Sequence, residues 1–174
     1  MRFLYLLRHG DAAPRPPGVD DHDRPLADSG RRGVSRVVER ITDGPVPPSL
    51  LLSSSARRAI ETLELIRRRA ASDHEVEIER GLYLAGSDEI LERIRAVDGA
   101  HRGVLVVGHN PGLGGLAHAL AGSGSERDRE RLQRGFAAGA LAVLRFDAAV
   151  WSEAAPGRGD LAGFTTPADA AATR

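Results

Sequence analysis

Short apolar runs are spaced along the chain, with polar or amphipathic stretches between them. Three of these runs are continuous, at residues 3–7, 50–52 and 104–107. Strands that are buried on both faces have this appearance, so each run predicts a strand inside a covered sheet. Val76 and Ile78 alternate with glutamates, which predicts a further strand with one polar side.

Apolar residues at helical spacing fill the gaps between these runs. The four helical faces are Val34, Val37, Val38 and Ile41; Ala59, Thr62, Leu63 and Ile66; Ile90, Ile94 and Val97; and Leu113, Leu116 and Leu120. Asp28 or Ser29 is expected to cap the first helix, and Gly44 ends it. Polar, proline-rich residues 11–23 predict a surface loop, and the charged stretch 123–131 predicts a loop or a short helix.

Strands that alternate with helices predict an α/β fold, a three-layer α/β/α sandwich around a mostly parallel central sheet. A late strand is expected at residues 140–146, and Trp151 is expected to lie in one more. The length of 174 residues suits a single domain, which we expect to span residues 1–167. The alanine-rich residues 168–174 show no core pattern and predict a frayed tail.

Composition narrows the class of protein. The chain has no cysteine, which excludes disulfides and thiolate chemistry, and its formal net charge of zero argues against a general nucleic-acid partner. No apolar run is long enough to cross a bilayer, and residues 3–7 are too few for the hydrophobic region of a signal peptide. We therefore expect a cytoplasmic protein with no membrane partner.

Unusual polar residues follow three of the predicted strands. They are Arg8-His9-Gly10 after the first run, Ser53-Ser54-Ser55 with Arg58 after the second, and Gly108-His109-Asn110 after the third. In open α/β sheets, ligands bind beyond the carboxyl ends of the strands. We therefore expect the imidazoles of His9 and His109 to meet the guanidinium groups of Arg8 and Arg58 at one edge of the sheet.

Such a group of side chains suits phosphoryl transfer. A neutral imidazole is a nucleophile at physiological pH and can form a covalent phosphohistidine. Guanidinium groups hold and neutralise the phosphoryl oxygens, so this chemistry needs no metal or other cofactor. The other histidines, which lack metal-binding spacing and are expected to be solvated, are His22, His74, His101 and His118.

The order and spacing of these residues resemble the histidine phosphatase superfamily. The counterparts of its signature elements are Arg8-His9-Gly10, then Ser54, Arg58 and Thr62 at four-residue intervals, then Gly108-His109 after an apolar strand. The resemblance runs from Met1 to about Phe146. Within the superfamily, residues 8–12 and the Arg24-Pro25-Leu26 segment are most similar to the SixA-type phosphohistidine phosphatases.

This resemblance implies a phosphoglycerate mutase-like fold and a role for each matching residue. His9 attacks phosphorus, while Arg24 contacts the phosphate or the leaving group. The other residues implied to hold or line the phosphate site are Arg8, Arg58, His109, Gly10 and Asn110. The implied activity is hydrolysis of a phosphomonoester or a phosphoramidate through a phosphohistidine intermediate on the enzyme.

One position departs from the family pattern and bears on the substrate. Larger members carry a glutamic acid near the segment that corresponds to residues 81–83, where this chain has Gly81. The candidate general acids in the sequence are Asp11, Glu79, Asp88 and Glu89. A site without a dedicated acid favours leaving groups that depart readily, so the expected substrate is a protein that carries phosphohistidine.

Two alternatives stay open at the level of the sequence. The same pocket would also accept a small phosphorylated substrate, such as a sugar phosphate or a nucleotide-derived ester. A phosphate-binding module without catalysis is the second alternative. It would be indicated by the loss of a core residue of the signature, and all four core positions are filled here.

Overall fold

The computed structural model describes residues 1–70 and 74–172. Its strands are β1 (Arg2–Arg8), β2 (Leu50–Ser54), β3 (Glu75–Glu79), β4 (Gly103–Gly108), β5 (Ala121–Gly124), β6 (Leu141–Phe146) and β7 (Gly159–Thr165). They form one sheet in the order β3-β2-β4-β1-β6-β7-β5. In the described part of the chain, β6 alone runs antiparallel to its neighbours, which confirms the mostly parallel sheet.

Seven α-helices accompany this sheet in the described residues. They are α1 (Asp28–Val37), α2 (Glu39–Thr42), α3 (Arg57–Arg69), α4 (Ser87–Arg95), α5 (Gly112–Leu120), α6 (Glu126–Arg134) and α7 (Pro167–Ala172). The predicted first helix is divided at Val38 into α1 and α2. The residue that precedes α1 is Ala27, which offers no side-chain cap, so the expected capping by Asp28 or Ser29 is wrong.

The sheet separates two apolar cores. Along β1, Leu4 and Leu6 face one core, whereas Tyr5 and Leu7 face the other. Side chains of α4, α5 and α6 complete the first core, and side chains of α1, α2 and α3 complete the second. Helices therefore cover both faces of the sheet, as the continuous apolar runs predict.

The carboxyl-terminal third differs most from the sequence-based expectation. The pattern does not predict β5 or β7, and Trp151 lies in a short 3₁₀ turn rather than in a strand. The Trp151 ring is fully buried, and its Nε1–H donates to the carbonyl of His101 at 2.7 Å, which fixes it without strand pairing.

The carboxyl-terminal segment, which the sequence predicts to be a frayed tail, is helical up to Ala172 in the structure. Residues up to Ala172 continue as α7, where Ala170 packs against the second core and Asp169 forms an ion pair with Arg131. These contacts hold a segment whose own sequence shows no apolar stripe. Residues 173–174 of the predicted tail lie outside the described residues.

None of the described helices has the length and apolar character that crossing a membrane would require.

Candidate active site

Two parallel strands place the two predicted histidines side by side. Arg8 at the end of β1 pairs in register with Gly108 at the end of β4, and the His9 N–H donates to the Gly108 carbonyl at 3.1 Å. The ring centroids of His9 and His109 are 5.0 Å apart. The parallel register therefore brings two distant stretches of sequence to one edge of the sheet, as expected.

The His9 imidazole is held in one orientation by a contact at each nitrogen. Nδ1 lies 2.7 Å from the carbonyl of Gly10, and Nε2 accepts a hydrogen bond from Nε of Arg58 at 3.2 Å. A guanidinium can only donate, so this network assigns the proton to Nδ1 and the lone pair to Nε2. Burial, with the charges of Arg58 and Arg8, lowers the pKa of His9 to about 4, so the ring is neutral at pH 7.

The His109 ring is fixed from the neighbouring strand. Its Nε2 lies 2.7 Å from Oγ of Ser54 at the end of β2, and its Nδ1 lies 3.4 Å from Nη2 of Arg58. Because Arg58 can only donate, Nδ1 is the acceptor and Nε2–H donates to Ser54. Burial and the neighbouring His9 lower the pKa of His109 to about 3.

Arg58 stands at the first turn of α3 and is buried, because several groups satisfy its guanidinium. Nη1 donates to the carbonyl of Asp21 at 2.5 Å, and Nη2 donates to Oδ2 of the same residue at 2.9 Å. Thr62 lies one turn further along α3, where its hydroxyl donates to the carbonyl of Arg58 and accepts the N–H of Gly10 at 3.2 Å. Arg58 thus contacts both histidines directly, whereas Thr62 contacts Arg58 and the loop that follows His9.

Asp21 is a site residue that the sequence-based prediction missed. Its carboxylate also accepts Nη1 of Arg24 at 2.9 Å and the hydroxyl of Tyr83 at 3.0 Å. The hydrogen bond from Arg24 is the main cause that holds the pKa of Asp21 well below its ordinary value. One carboxylate therefore connects Arg24, Arg58 and Tyr83, and only its contacts in the folded protein reveal this role.

A pocket of about 280 Å³ lies at the two histidines. Its lining consists of Arg8, His9, Asp11, Ala12, Arg24, Arg58, Leu84, His109, Asn110 and Ala138. Three guanidinium groups and two neutral imidazoles thus face one hollow, with small or apolar side chains beside them. Such a pocket attracts an anion and brings it next to the His9 ring.

The remaining predicted residues divide between the pocket and its surroundings. Asn110 lines the pocket, but its amide is already engaged, since Nδ2 donates to the Phe136 carbonyl at 2.8 Å and Oδ1 accepts from Gly114 at 3.1 Å. Gly10 permits close packing, because a Cβ there would lie 2.7 Å from the carbonyl oxygen of Gly30 in α1. Asn110 therefore forms part of the pocket wall, whereas Gly10 does not line the pocket and acts through the packing of its loop on α1.

The four candidate acids are in different environments. Asp11 lines the pocket and is exposed. Glu79 is paired with Arg93 at 2.7 Å, and Glu89 accepts the N–H of Gly86 at the start of α4. Asp88 is exposed on α4, and like these two glutamates it does not line the pocket.

His22 also differs from its predicted environment. Its Nε2 lies 2.9 Å from Oγ of Ser55, and its ring contacts Tyr83 with centroids 4.9 Å apart, so it is not simply solvated. Among the described residues, no group of three or more histidine, aspartate or glutamate side chains is placed to hold a metal ion.

The chain is similar in sequence and in fold to several known proteins. Residues 4–83 match the family model of the histidine phosphatase superfamily (branch 1). An uncharacterized protein of Mycobacterium tuberculosis is 34% identical over 163 residues, which cover 92% of this chain and 99% of that protein. A proposed phosphohistidine phosphatase SixA of Nakamurella multipartitia is 30% identical, with a TM-score of 0.82 over 95% of this chain and 96% of that chain. A mycobacterial glucosyl-3-phosphoglycerate phosphatase, 18% identical, shares the fold with a TM-score of 0.62 over 93% and 98% of the two chains.

Proposed function

The chain belongs to the histidine phosphatase superfamily, and we propose that it hydrolyses phosphohistidine on a protein through a covalent intermediate on His9. The observation that carries this proposal is the neutral His9 ring, with its lone pair on Nε2, at a pocket that three arginines line. A bound phosphoryl group would meet a nucleophile and its charge partners at the same place.

The first step forms one bond and breaks one. Nε2 of His9 attacks phosphorus, the bond from phosphorus to the leaving group breaks, and the leaving group takes up a proton from the Asp11 carboxyl or from water. In the free protein this lone pair accepts Nε of Arg58, so attack requires Arg58 to transfer its donor to a phosphoryl oxygen. Arg58 thereby stabilises the transition state more than the ground state, which is the condition for catalysis.

The second step returns the enzyme to its starting state. Water attacks the phosphohistidine, inorganic phosphate leaves, and Nε2 of His9 recovers its lone pair. Nδ1 stays hydrogen-bonded to the carbonyl of Gly10, a contact that stabilises positive charge on the ring while Nε2 carries phosphorus. Arg8 and His109 line the same pocket as His9, and the proposal assigns both to the phosphoryl oxygens. In the free protein Nδ1 of His109 accepts from Arg58, so this role requires Nδ1 to take up a proton when the phosphoryl group binds.

Two observations support phosphohistidine as the substrate. The SixA protein of Nakamurella multipartitia, a proposed phosphohistidine phosphatase, is similar over nearly the whole chain. The pocket also lacks a glutamic acid; of the four candidate acids, the exposed Asp11 lines it. An imidazole leaving group needs less protonation than a sugar alkoxide, so a single carboxyl at the mouth suffices. A cytoplasmic location is part of this proposal.

A small phosphorylated metabolite is the second candidate, favoured by the fold shared with a glucosyl-3-phosphoglycerate phosphatase. A panel of phosphohistidine, sugar phosphates and nucleotide-derived esters at equal concentration separates the two candidates. The proposal predicts the highest kcat/KM for phosphohistidine. A strong preference for one metabolite would overturn the assignment of substrate but not of mechanism.

Substitution of His9 tests the mechanism itself. His9→Ala is expected to abolish hydrolysis of an aryl phosphate, and Arg58→Ala is expected to lower kcat by about 10²–10³-fold, since each removes a group that acts on the transition state. His118→Ala is the matched control, because this histidine is exposed on α5 and does not line the pocket. Turnover retained by His9→Ala would refute the mechanism.

A further inference from the structure

We propose that Leu84 contacts the substrate and holds the apolar face of the leaving group, so that the site prefers phosphoryl groups carried on an aromatic ring. This inference rests on the proposed phosphatase function and names a residue that selects the leaving group. Three observations at one residue carry it: backbone conformation, exposure, and position at the pocket.

The Leu84 backbone has an unusual conformation. Its φ is +55°, and among the described residues it is the one non-glycine residue with a positive φ. A side chain of L configuration crowds the following carbonyl in this region, which glycine adopts at no cost. Leucine at this position therefore makes the free protein less stable than a residue suited to the turn.

The turn around Leu84 is fixed from both sides, so the conformation is imposed. Leu82 and Ala85 are buried, and the Tyr83 hydroxyl donates to Asp21. Gly86 N–H then donates to the side chain of Glu89 at the start of α4. The backbone at residue 84 cannot relax without breaking these contacts.

Burial of the Leu84 side chain within the protein does not offset this loss of stability. It is 56% exposed, one of four large apolar side chains with high exposure in the described residues. Of these four, Leu84 is the one that lines the pocket, together with His9 and His109. A ligand that covers Leu84 would bury this apolar surface, and the free energy of that burial would strengthen binding of the ligand.

The chemistry of the pocket indicates which ligand fits. The pocket is lined by three arginines and also by the apolar side chains of Ala12, Leu84 and Ala138. The faces of an imidazole or aryl ring lose little when they meet such a surface. The hydroxyls of a sugar would lose hydrogen bonds to water there without gaining new ones.

The test compares two substrates with the same bond to phosphorus. Phosphohistidine and phosphoramidate both contain a P–N bond, but their leaving groups are an imidazole and ammonia. Leu84→Asn removes the apolar surface and keeps the turn, because asparagine tolerates a positive φ. The ratio of kcat/KM for phosphohistidine to kcat/KM for phosphoramidate is expected to fall about tenfold, mainly through KM for phosphohistidine.

Two further variants separate the loss of the contact between Leu84 and the substrate from an effect on folding. Ile78→Thr changes an apolar side chain that is 49% exposed on β3 and does not line the pocket, and it should leave the ratio unchanged. Leu84→Gly removes the backbone strain, so its thermal midpoint should equal or exceed that of the wild type while the ratio still falls.

The outcomes distinguish this inference from the proposed function. If Leu84→Asn leaves the ratio unchanged, or lowers turnover of both substrates equally while the wild type is active, the inference is overturned and the phosphatase mechanism stands. If the wild type hydrolyses neither substrate nor an aryl phosphate, the proposed function fails and this inference fails with it.

Discussion

At the scale of single residues, the site depends on a carboxylate as much as on its cations. Asp21 accepts hydrogen bonds from Arg24, Arg58 and Tyr83, and its charge opposes the mutual repulsion of the two guanidinium groups. It acts through other side chains and does not line the pocket, so we regard it as a positioning residue. A phosphate that enters the pocket meets arginines whose orientation is already set.

Removal of the Asp21 charge separates the orientation of Arg58 from the binding of phosphate. Asp21→Asn is expected to lower kcat by about tenfold or more, because Arg58 loses an ionic partner that orients it. Inhibition by inorganic phosphate should become stronger, since the pocket gains net positive charge. Steady-state kinetics with phosphate as inhibitor measures both effects.

A second readout comes from the neighbouring imidazole. The Asp21 carboxylate raises the pKa of His109, against the larger lowering effect of burial. Asp21→Asn should therefore move the His109 titration to still lower pH, as followed by the ring resonances in NMR. A lower kcat with unchanged phosphate inhibition and an unchanged His109 titration would contradict this role.

The sequence predicts the site residues that belong to a linear motif and misses those that do not. His9, Arg58 and His109 each follow a recognisable strand, and the structure brings them together. Asp21 and His22 lie in a polar loop where many residues look alike, and their partners are distant in sequence. Only the approach of this loop to α3 and to the turn at Tyr83 distinguishes them.

At the scale of the elements, close packing of α1 on the loop after β1 positions His9. A Cβ at Gly30 in α1 would lie 2.2 Å from the carbonyl oxygen of Asp11, and a Cβ at Gly10 would lie 2.7 Å from the carbonyl oxygen of Gly30. Both contacts involve backbone, which cannot move aside as a flexible side chain does. These two glycines therefore let the helix approach the nucleophile loop.

Substitution of Gly30 tests this packing. Gly30→Ala should destabilise the protein by about 1–3 kcal/mol, because the new methyl group forces the loop and the helix apart. Turnover should also fall, since the displaced loop carries His9. Gly81→Ala is the control, because nothing lies within 4 Å of a Cβ at that position. Denaturant unfolding measures the stability of both variants, and kcat is compared at a temperature where both are folded. Equal stability of the two variants would contradict the packing argument.

Strands with continuous apolar side chains are predictable, and those without them are not. The runs that become β1, β2 and β4 are buried on both faces of the sheet and show it in sequence. β5 and β7 have mixed sequences with two glycines each, and they form because β7 pairs with β6 and β5 pairs with β7. Pairing of this kind leaves no local pattern.

At the scale of the whole molecule, the site makes stability depend on pH. Burial holds the pKa of His9 at about 4 and that of His109 at about 3, whereas both would titrate near 6.5 in an unfolded chain. Between about pH 6.5 and pH 4 the unfolded chain therefore binds more protons than the folded protein. The free energy of unfolding rises with pH across this window and falls on acidification.

A histidine variant measures the contribution of His9 to the pH dependence of stability. His9→Asn removes one of the two depressed groups, so the slope of unfolding free energy against pH should decrease by about one proton between pH 5 and pH 6. His118→Asn, on the exposed side of α5, serves as the control for the loss of a histidine. Urea unfolding at several pH values gives the slopes, and an unchanged slope in His9→Asn would show that His9 is not buried as a neutral ring.

The most direct test of the account is capture of the phosphorylated enzyme. The protein is mixed with phosphohistidine or an aryl phosphate, quenched in alkali within one turnover, and digested for peptide mass spectrometry. The account predicts a phosphoryl group on Nε2 of His9 that forms and decays at rates compatible with turnover. Active protein that carries no phosphoryl group on His9, or that carries it on His109, would contradict the account.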